Sequence, residues 1–265
     1  LGGCASTKSI LGRPIMQIDF KDKVAVITGG SRGIGAAIAE AFYHNGANVA
    51  LLDINNKECQ ERALAVDASG SHVIALQADV TDETQVQKAV EQILERFEQI
   101  DILVNSAGIL HHVPIEEKTV ADFEKIIKVN LTGAFIMCKT IVPIMKKISR
   151  GKIVNIASLG GRTGRPGVAV DYGASKAGII GLTQTLAREA GPAGIYVNAI
   201  APGPILTELT KQVPKEVFAT WNVGRAVNKD GLPEDVANAA LFLASEMSDW
   251  ITGVTLDVNG GIFIP

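Results

Sequence analysis

The sequence predicts an α/β protein: a doubly wound, mainly parallel seven-stranded sheet with helices on both faces. Three observations carry that expectation. Short aliphatic runs alternate with segments of helical period from Lys23 to the end of the chain. Hydrophobic residues make up 47% of the 265 positions but aromatics only 5%. The core must then be built from Ala, Val, Ile and Leu, a composition suited to parallel strands buried on both faces. Finally, the connections are short, and right-handed crossovers place the intervening helices on both sides of one sheet.

Taken in order, the strand candidates are 24–28, 49–53, 73–79, 102–105, 153–158, 197–201 and 255–258. Helical period marks 34–45, 82–97 and 174–190, with a further helical stretch near 119–148. The helix at 82–97 has the clearest chemistry. Thr81 or Asp82 can cap it, Asp82 and Glu83 suit the positive end of its dipole, and Val86, Val90, Ile93, Leu94 and Phe97 form one apolar stripe. In such a sheet the ligand crevice lies at the carboxyl ends of the strands.

The length suits one large domain. Met16 opens the first domain-like segment, so a single domain is expected over 16–265, with residues 1–15 a processed or artificial extension. A formal charge of −3 without a Lys/Arg-dense stripe argues against nucleic acid as a partner. No uninterrupted apolar run approaches the ~18 residues of a membrane helix, so no membrane partner is expected. Cys4, Cys59 and Cys138 are odd in number and scattered, as in the reduced thiols of a cytoplasmic protein.

Chemistry-bearing residues gather at the predicted strand ends. Thr28-Gly29-Gly30-Ser31-Arg32-Gly33-Ile34-Gly35 follows the first strand and opens a helix. Glycines permit the turn and let a pyrophosphate approach the amides of the helix N-terminus. The spacing is Gly-x-x-x-Gly-x-Gly within a Rossmann-type strand–turn–helix. Asp53 ends the second strand, where a carboxylate accepts both adenosine ribose hydroxyls. It repels a 2′-phosphate by about 4 kcal/mol per charge pair at ~4 Å and an effective dielectric near 20. Arg32 offsets part of that. The balance favours NAD, with NADP as the alternative.

Asp79-Val80, Asn105-Ser106-Ala107-Gly108, Lys128-Val129-Asn130, Ile156-Ala157-Ser158, Tyr172-Gly173-Ala174-Ser175-Lys176 and 197–203 (Val-Asn-Ala-Ile-Ala-Pro-Gly) follow that turn in order. From about residue 19 to 264 the chain resembles the short-chain dehydrogenase/reductase family in its compact single-domain branch. The resemblance implies a catalytic set of Asn130, Ser158, Tyr172 and Lys176. It implies cofactor contacts at the first turn from Gly29, Ser31, Arg32, Gly33, Ile34 and Gly35, with Asp53 beyond. Asp79 and Val80 would approach the adenine. Asn105, Ala107 and Gly108 would line the next strand end, with Asn105 also able to brace the central strand. Tyr172 and Lys176 would flank the nicotinamide ribose, and Pro202, Gly203, Ile205 and Thr207 the carboxamide. A homotetramer or homodimer is implied as well.

The residue chemistry supports those roles. A free Tyr titrates near ~10, too high for a base at neutral pH. Lys176 at i+4 shares its helix face. Lowering the phenol by ~3 units requires about 4 kcal/mol, which one cation at ~4 Å supplies. Ser158 can hold the substrate oxygen while charge develops there; a water-positioning role for Asn130 rests on the resemblance alone. Singly, these residues read equally well as a helix-surface pair, a capping Ser and a turn Asn; their joint order does not.

Two departures stand out. The Ser158–Tyr172 gap is one residue longer than usual for the family, in a Gly/Arg/Pro-rich loop at 160–167. The stretch 226–232 between Gly224-Arg225 and Pro233-Glu234 in the lid is also longer than usual for the family, and Leu209, Phe218 and Trp221 of the lid either meet an apolar substrate or anchor the lid. His111-His112 reads as an exposed loop pair, and no metal is expected. The expected function is NAD(H)-dependent interconversion of a small secondary alcohol and its ketone. NADPH-dependent reduction of a 3-oxoacyl thioester is the alternative, and a catalytically silent dinucleotide-binding regulator a third reading.

Overall fold

The computed structural model describes residues 18–265 apart from 166, 212 and 214; the extension assigned to residues 1–15 lies outside the described residues, as does the side chain of Leu209. The seven strands are β1 (Val24–Thr28), β2 (Asn48–Asp53), β3 (Val73–Gln77), β4 (Ile102–Asn105), β5 (Gly151–Ile156), β6 (Ile195–Pro202) and β7 (Thr255–Val258). They form one sheet in the order β3-β2-β1-β4-β5-β6-β7 with every pairing parallel. The winding reverses between β1 and β4, so loops diverge there and leave a crevice at the strands' carboxyl ends.

Alternate strand residues feed two cores. Ala25, Ile27, Val49 and Leu51 face α1 (Gly33–His44) and α10 (Pro233–Ala244). Val24, Val26, Ala50 and Leu52 face α3 (Glu83–Phe97) and α5 (Gly133–Lys147). This two-sided burial is why the strands read as unbroken aliphatic runs. Asp82 caps α3 by accepting from Thr84 N (2.9 Å) and Gln85 N (3.1 Å). Val86, Val90 and Ile93 are buried, and Leu94 and Phe97 pack beside them. That is the expected stripe.

The remaining helices are α2 (Asn56–Val66), α4 (Val120–Ile127), α6 (Leu159–Arg162), α7 (Val170–Ala190), α8 (Glu208–Lys211) and α9 (Lys215–Trp221). Several boundaries differ from the sequence expectation. β3 stops at Gln77, so Asp79 belongs to a turn. β5 stops at Ile156, so Ser158 is the N-cap of α6 rather than a strand residue. α7 starts at Val170, a full turn before the expected 174, which puts Tyr172 inside the helix. Between α4 and α5 a π-helical turn, Lys128–Thr132, centres on Asn130. The run Val120–Lys147 is long and apolar enough by length and composition to cross a bilayer, but charged residues interrupt it and half of its most apolar stretch is buried inside the protein. Met137, Ile141 and Met145 are fully enclosed there, as in a core helix.

Candidate active site

β1 hands over to α1 through Gly29, at φ +65°. A Cβ there would lie 2.8 Å from Ala107 Cα, and one on Gly35 would lie 2.2 Å from the Gly29 carbonyl oxygen. Backbone meets backbone at both places, so only glycine fits. Thr28 Oγ1 accepts from the N–H groups of Ser106 (3.0 Å) and Ala107 (3.1 Å), tying this turn to the end of β4. α1 carries no side-chain cap, whereas α2, α3 and α4 are capped by Asn55, Asp82 and Thr119. Its first-turn N–H groups are therefore free to hold an anion such as a pyrophosphate.

A cleft of about 550 Å³ runs from this turn across the sheet's carboxyl edge. Gly29, Arg32, Gly33, Ile34, Gly35, Asp53, Asp79, Val80, Ala107, Gly108, Pro202, Gly203, Ile205 and Thr207 all line it, together with Ser158, Tyr172 and Lys176. Three expected residues stand apart. Ser31 turns to Asp53, donating through its hydroxyl (2.6 Å) and its N–H (3.2 Å). Asn105 points into the core, where its amide donates to Asn155 Oδ1 (2.8 Å) because β4 and β5 present facing amides there. Asn130 is fully buried behind the cleft wall.

Asp53 also accepts from Asn55 N (3.0 Å). Three internal bonds pin the carboxylate and leave acceptor capacity for a ribose hydroxyl. Asp79 accepts from Thr81 N (2.8 Å), closing a turn, while Asp82 takes the cap of α3. These residues fit a dinucleotide: free amides for its phosphates, and a fixed carboxylate one strand away for its ribose.

At the other end, Ser158 Oγ accepts from Gly160 N (3.0 Å), so its proton is free to donate. Lys176 is buried, donates to Ile156 O (2.7 Å), and holds Nζ 5.7 Å from the centre of the Tyr172 ring. Burial pulls the Lys176 ammonium down to about 8. Burial also pushes the Tyr172 phenol up, partly opposed by a hydrogen bond with Ser158; the residue keeps part of its surface open to the cleft. Without cofactor, burial acts on the phenol more strongly than any lowering by Lys176. The ammonium is spent on a backbone carbonyl, and desolvation dominates.

The side chain of Asn130 is fully engaged. It donates to Ile109 O (3.0 Å) and Ser175 Oγ (3.1 Å) and accepts from Ile109 N (2.8 Å). Ser175 in turn donates to Tyr172 O (2.8 Å). Any water must therefore meet the backbone of the wide turn rather than the Asn130 amide hydrogens. Ser175 and Thr28 were not singled out from sequence, although each sits inside a motif that was. The lid residue Trp221 both faces the cleft and is tied into the lid. It lines the cleft, and Arg165 Nη2 donates to the carbonyls of Trp221 (3.4 Å) and Val223 (3.2 Å). A Cβ on Gly167 would lie 2.4 Å from Trp221 Nε1. Phe218 packs edge-on to Trp221, with ring centres 6.0 Å apart. His111 and His112 are exposed.

The family described as "Enoyl-(Acyl carrier protein) reductase" matches residues 29–262. The 3-oxoacyl-(acyl-carrier-protein) reductase FabG of Aquifex aeolicus is 38% identical, covering 94% of this chain and 100% of its own. That of Thermotoga maritima is 37% identical over 92% of this chain and 99% of its own. Among solved structures, levodione reductase superposes with TM-score 0.85 at 33% identity, covering 91% of this chain and 98% of that one. The structure of gox2181 superposes with TM-score 0.89 at 32% identity, covering 92% and 97%. Motif order, sheet topology, cleft and full-length similarity agree, and the chain belongs to the short-chain dehydrogenase/reductase family, oxidoreductases of CH–OH and carbonyl groups that use a nicotinamide dinucleotide.

Proposed function

We propose that the protein interconverts a small secondary alcohol and its ketone with NAD(H), using Tyr172 as acid/base. The observation that carries this reading is the convergence of Ser158, Tyr172 and Lys176 on one cleft whose far end holds a pinned carboxylate, Asp53. When bound, the nicotinamide supplies or accepts the hydride. Ser158 donates to the substrate oxygen and steadies it as charge develops. Tyr172 gives that oxygen a proton in reduction and takes it back in oxidation. Burial keeps the phenol protonated at neutral pH, the form that donates in reduction. Lys176 holds the nicotinamide ribose and, when charged, stabilises the phenolate. The backbone of the wide turn at Asn130 offers a place for a proton-relaying water.

Asp53 supports NAD over NADP because its three bonds prevent the charge from swinging away from a 2′-phosphate. A second reading, NADPH-dependent reduction of a 3-oxoacyl thioester, is favoured by the 37–38% identity to full-length FabG enzymes. Apolar side chains exposed on α4, α5 and the start of α7 (Val120, Phe123, Phe135 and Val170) support a homodimer or homotetramer. The free, buried thiols of Cys59 and Cys138 suit a reducing, cytoplasmic setting. The test follows NADH and NADPH oxidation with ketones, diketones, keto-sugars and 3-oxoacyl thioesters. Turnover chiefly with NADH supports the first reading; turnover chiefly with NADPH on acyl thioesters establishes the second.

A further inference from the structure

Lys118 and Asp171 form a salt bridge whose side chains are 2% and 0% exposed. Among the ion pairs of the described residues, only this one seals both partners from water. Burying two charges gains little stability over apolar residues of like size, so stability alone does not account for the pair. Its position does. Asp171 lies in the first turn of α7, immediately before Tyr172, and its Oδ1 accepts the Tyr172 N–H (2.8 Å). Its Oδ2 meets Lys118 Nζ, which also donates to His111 O (3.1 Å). Lys118 immediately precedes Thr119, whose reciprocal bonds with Asp122 start α4.

We propose that the Lys118–Asp171 pair is a positioning and electrostatic element for Tyr172: Asp171 fixes the backbone that carries the phenol, and Lys118 cancels the charge Asp171 would otherwise set beside it. This inference rests on the reading of Tyr172 as acid/base.

The other charged groups near this end of α7 do not substitute for Lys118. Lys176, on the helix itself, is bonded to Ile156 O. Arg162 of α6 is taken up by Asp257 (3.0 Å). His111 and Asp122 lie beside Lys118, and the Asp122 carboxylate, held low chiefly by Thr119, adds a further negative charge. Lys128 of the wide turn faces Asp82. Lys125, Arg165 and Glu208 stand around the open cleft, where water screens them. A buried carboxylate left uncompensated within a side-chain length (~8 Å) moves a phenol up by about one pH unit.

The experiment reads tyrosinate absorbance after stopped-flow pH jumps on the full chain, faster than alkaline unfolding. Each protein is paired with the same protein carrying Tyr172→Phe, and the difference isolates Tyr172 from Tyr43 and Tyr196. Lys118→Met should raise the Tyr172 midpoint by about one pH unit. Lys118→Arg should leave it in place, and the neutral double variant Lys118→Met/Asp171→Asn should return it to within about 0.3 units. A folded Lys118→Met protein with an unmoved Tyr172 midpoint overturns the proposal. If that variant fails to fold, Asp171→Asn decides: the uncompensated Lys118 ammonium should lower the Tyr172 midpoint by about one pH unit, and an unmoved midpoint overturns the proposal. The readout needs no turnover. Failure of the acid/base reading would show separately, as activity surviving Tyr172→Phe.

Discussion

Replacing Lys176 with Met should make the protein more stable while removing its activity. The ammonium is buried and titrates near 8, against 10.5 for a free lysine. At 1.36 kcal/mol per pH unit, keeping it charged inside the fold costs about 3 kcal/mol. Met is of similar length and carries no charge. The substitution also leaves Ile156 O without its 2.7 Å donor, which returns about 1 kcal/mol. The net expectation at pH 7 is a gain of about 2 kcal/mol. The sign with pH follows from the depressed value: the cost is fully present below about 8, shrinks as pH rises, and is gone above 10.5. Urea unfolding of both proteins at pH 7 and pH 10 measures this. A gain at pH 7 that fades at pH 10, with turnover lost, is the expected result. A Met variant less stable than wild type at pH 7 would refute the claim that this lysine is held at a cost for function.

Two further substitutions test the cofactor end. Asp53→Ala should narrow any preference for NADH over NADPH, read as the ratio of kcat/KM values; an unchanged ratio would assign that selection to another residue. The same change frees the Ser31 hydroxyl, so its stability cost should stay near 1 kcal/mol. Gly29→Ala forces a left-handed backbone on alanine and drives a Cβ to 2.8 Å from Ala107 Cα. It should destabilise by about 2 kcal/mol or more and abolish dinucleotide binding, measured by unfolding and by NADH fluorescence titration. Wild-type binding there would mean the turn does not carry the pyrophosphate.

The parts of this protein that sequence made legible are those where one residue type has one physical use. Aliphatic runs mark strands buried on both faces, and Asp82 before a polar first turn marks a cap. The glycines at 29 and 35 mark places where backbone touches backbone. What sequence hid depends on partners far along the chain. Asn105 read as a cleft residue, but its amide is spent on Asn155, fifty positions later. Ser31 read as a cofactor contact, but it braces Asp53. The early start of α7 was masked by Gly173 and by the β-branched Val168 before the helix and Val170 at its first position. The π turn at Asn130 has no composition of its own. The phenol and ammonium are governed by burial, a property of the folded cleft rather than of Tyr-x-x-x-Lys spacing.

The central claim is that Tyr172 moves the proton while the rest of the cleft binds and orients. Tyr172→Phe removes one hydroxyl from a partly exposed wall position and leaves the other dinucleotide contacts in place. Measured on the substrate class that wild type turns over fastest, the account predicts loss of turnover with NADH affinity nearly unchanged. Substantial residual turnover in a variant that still binds NADH would contradict it.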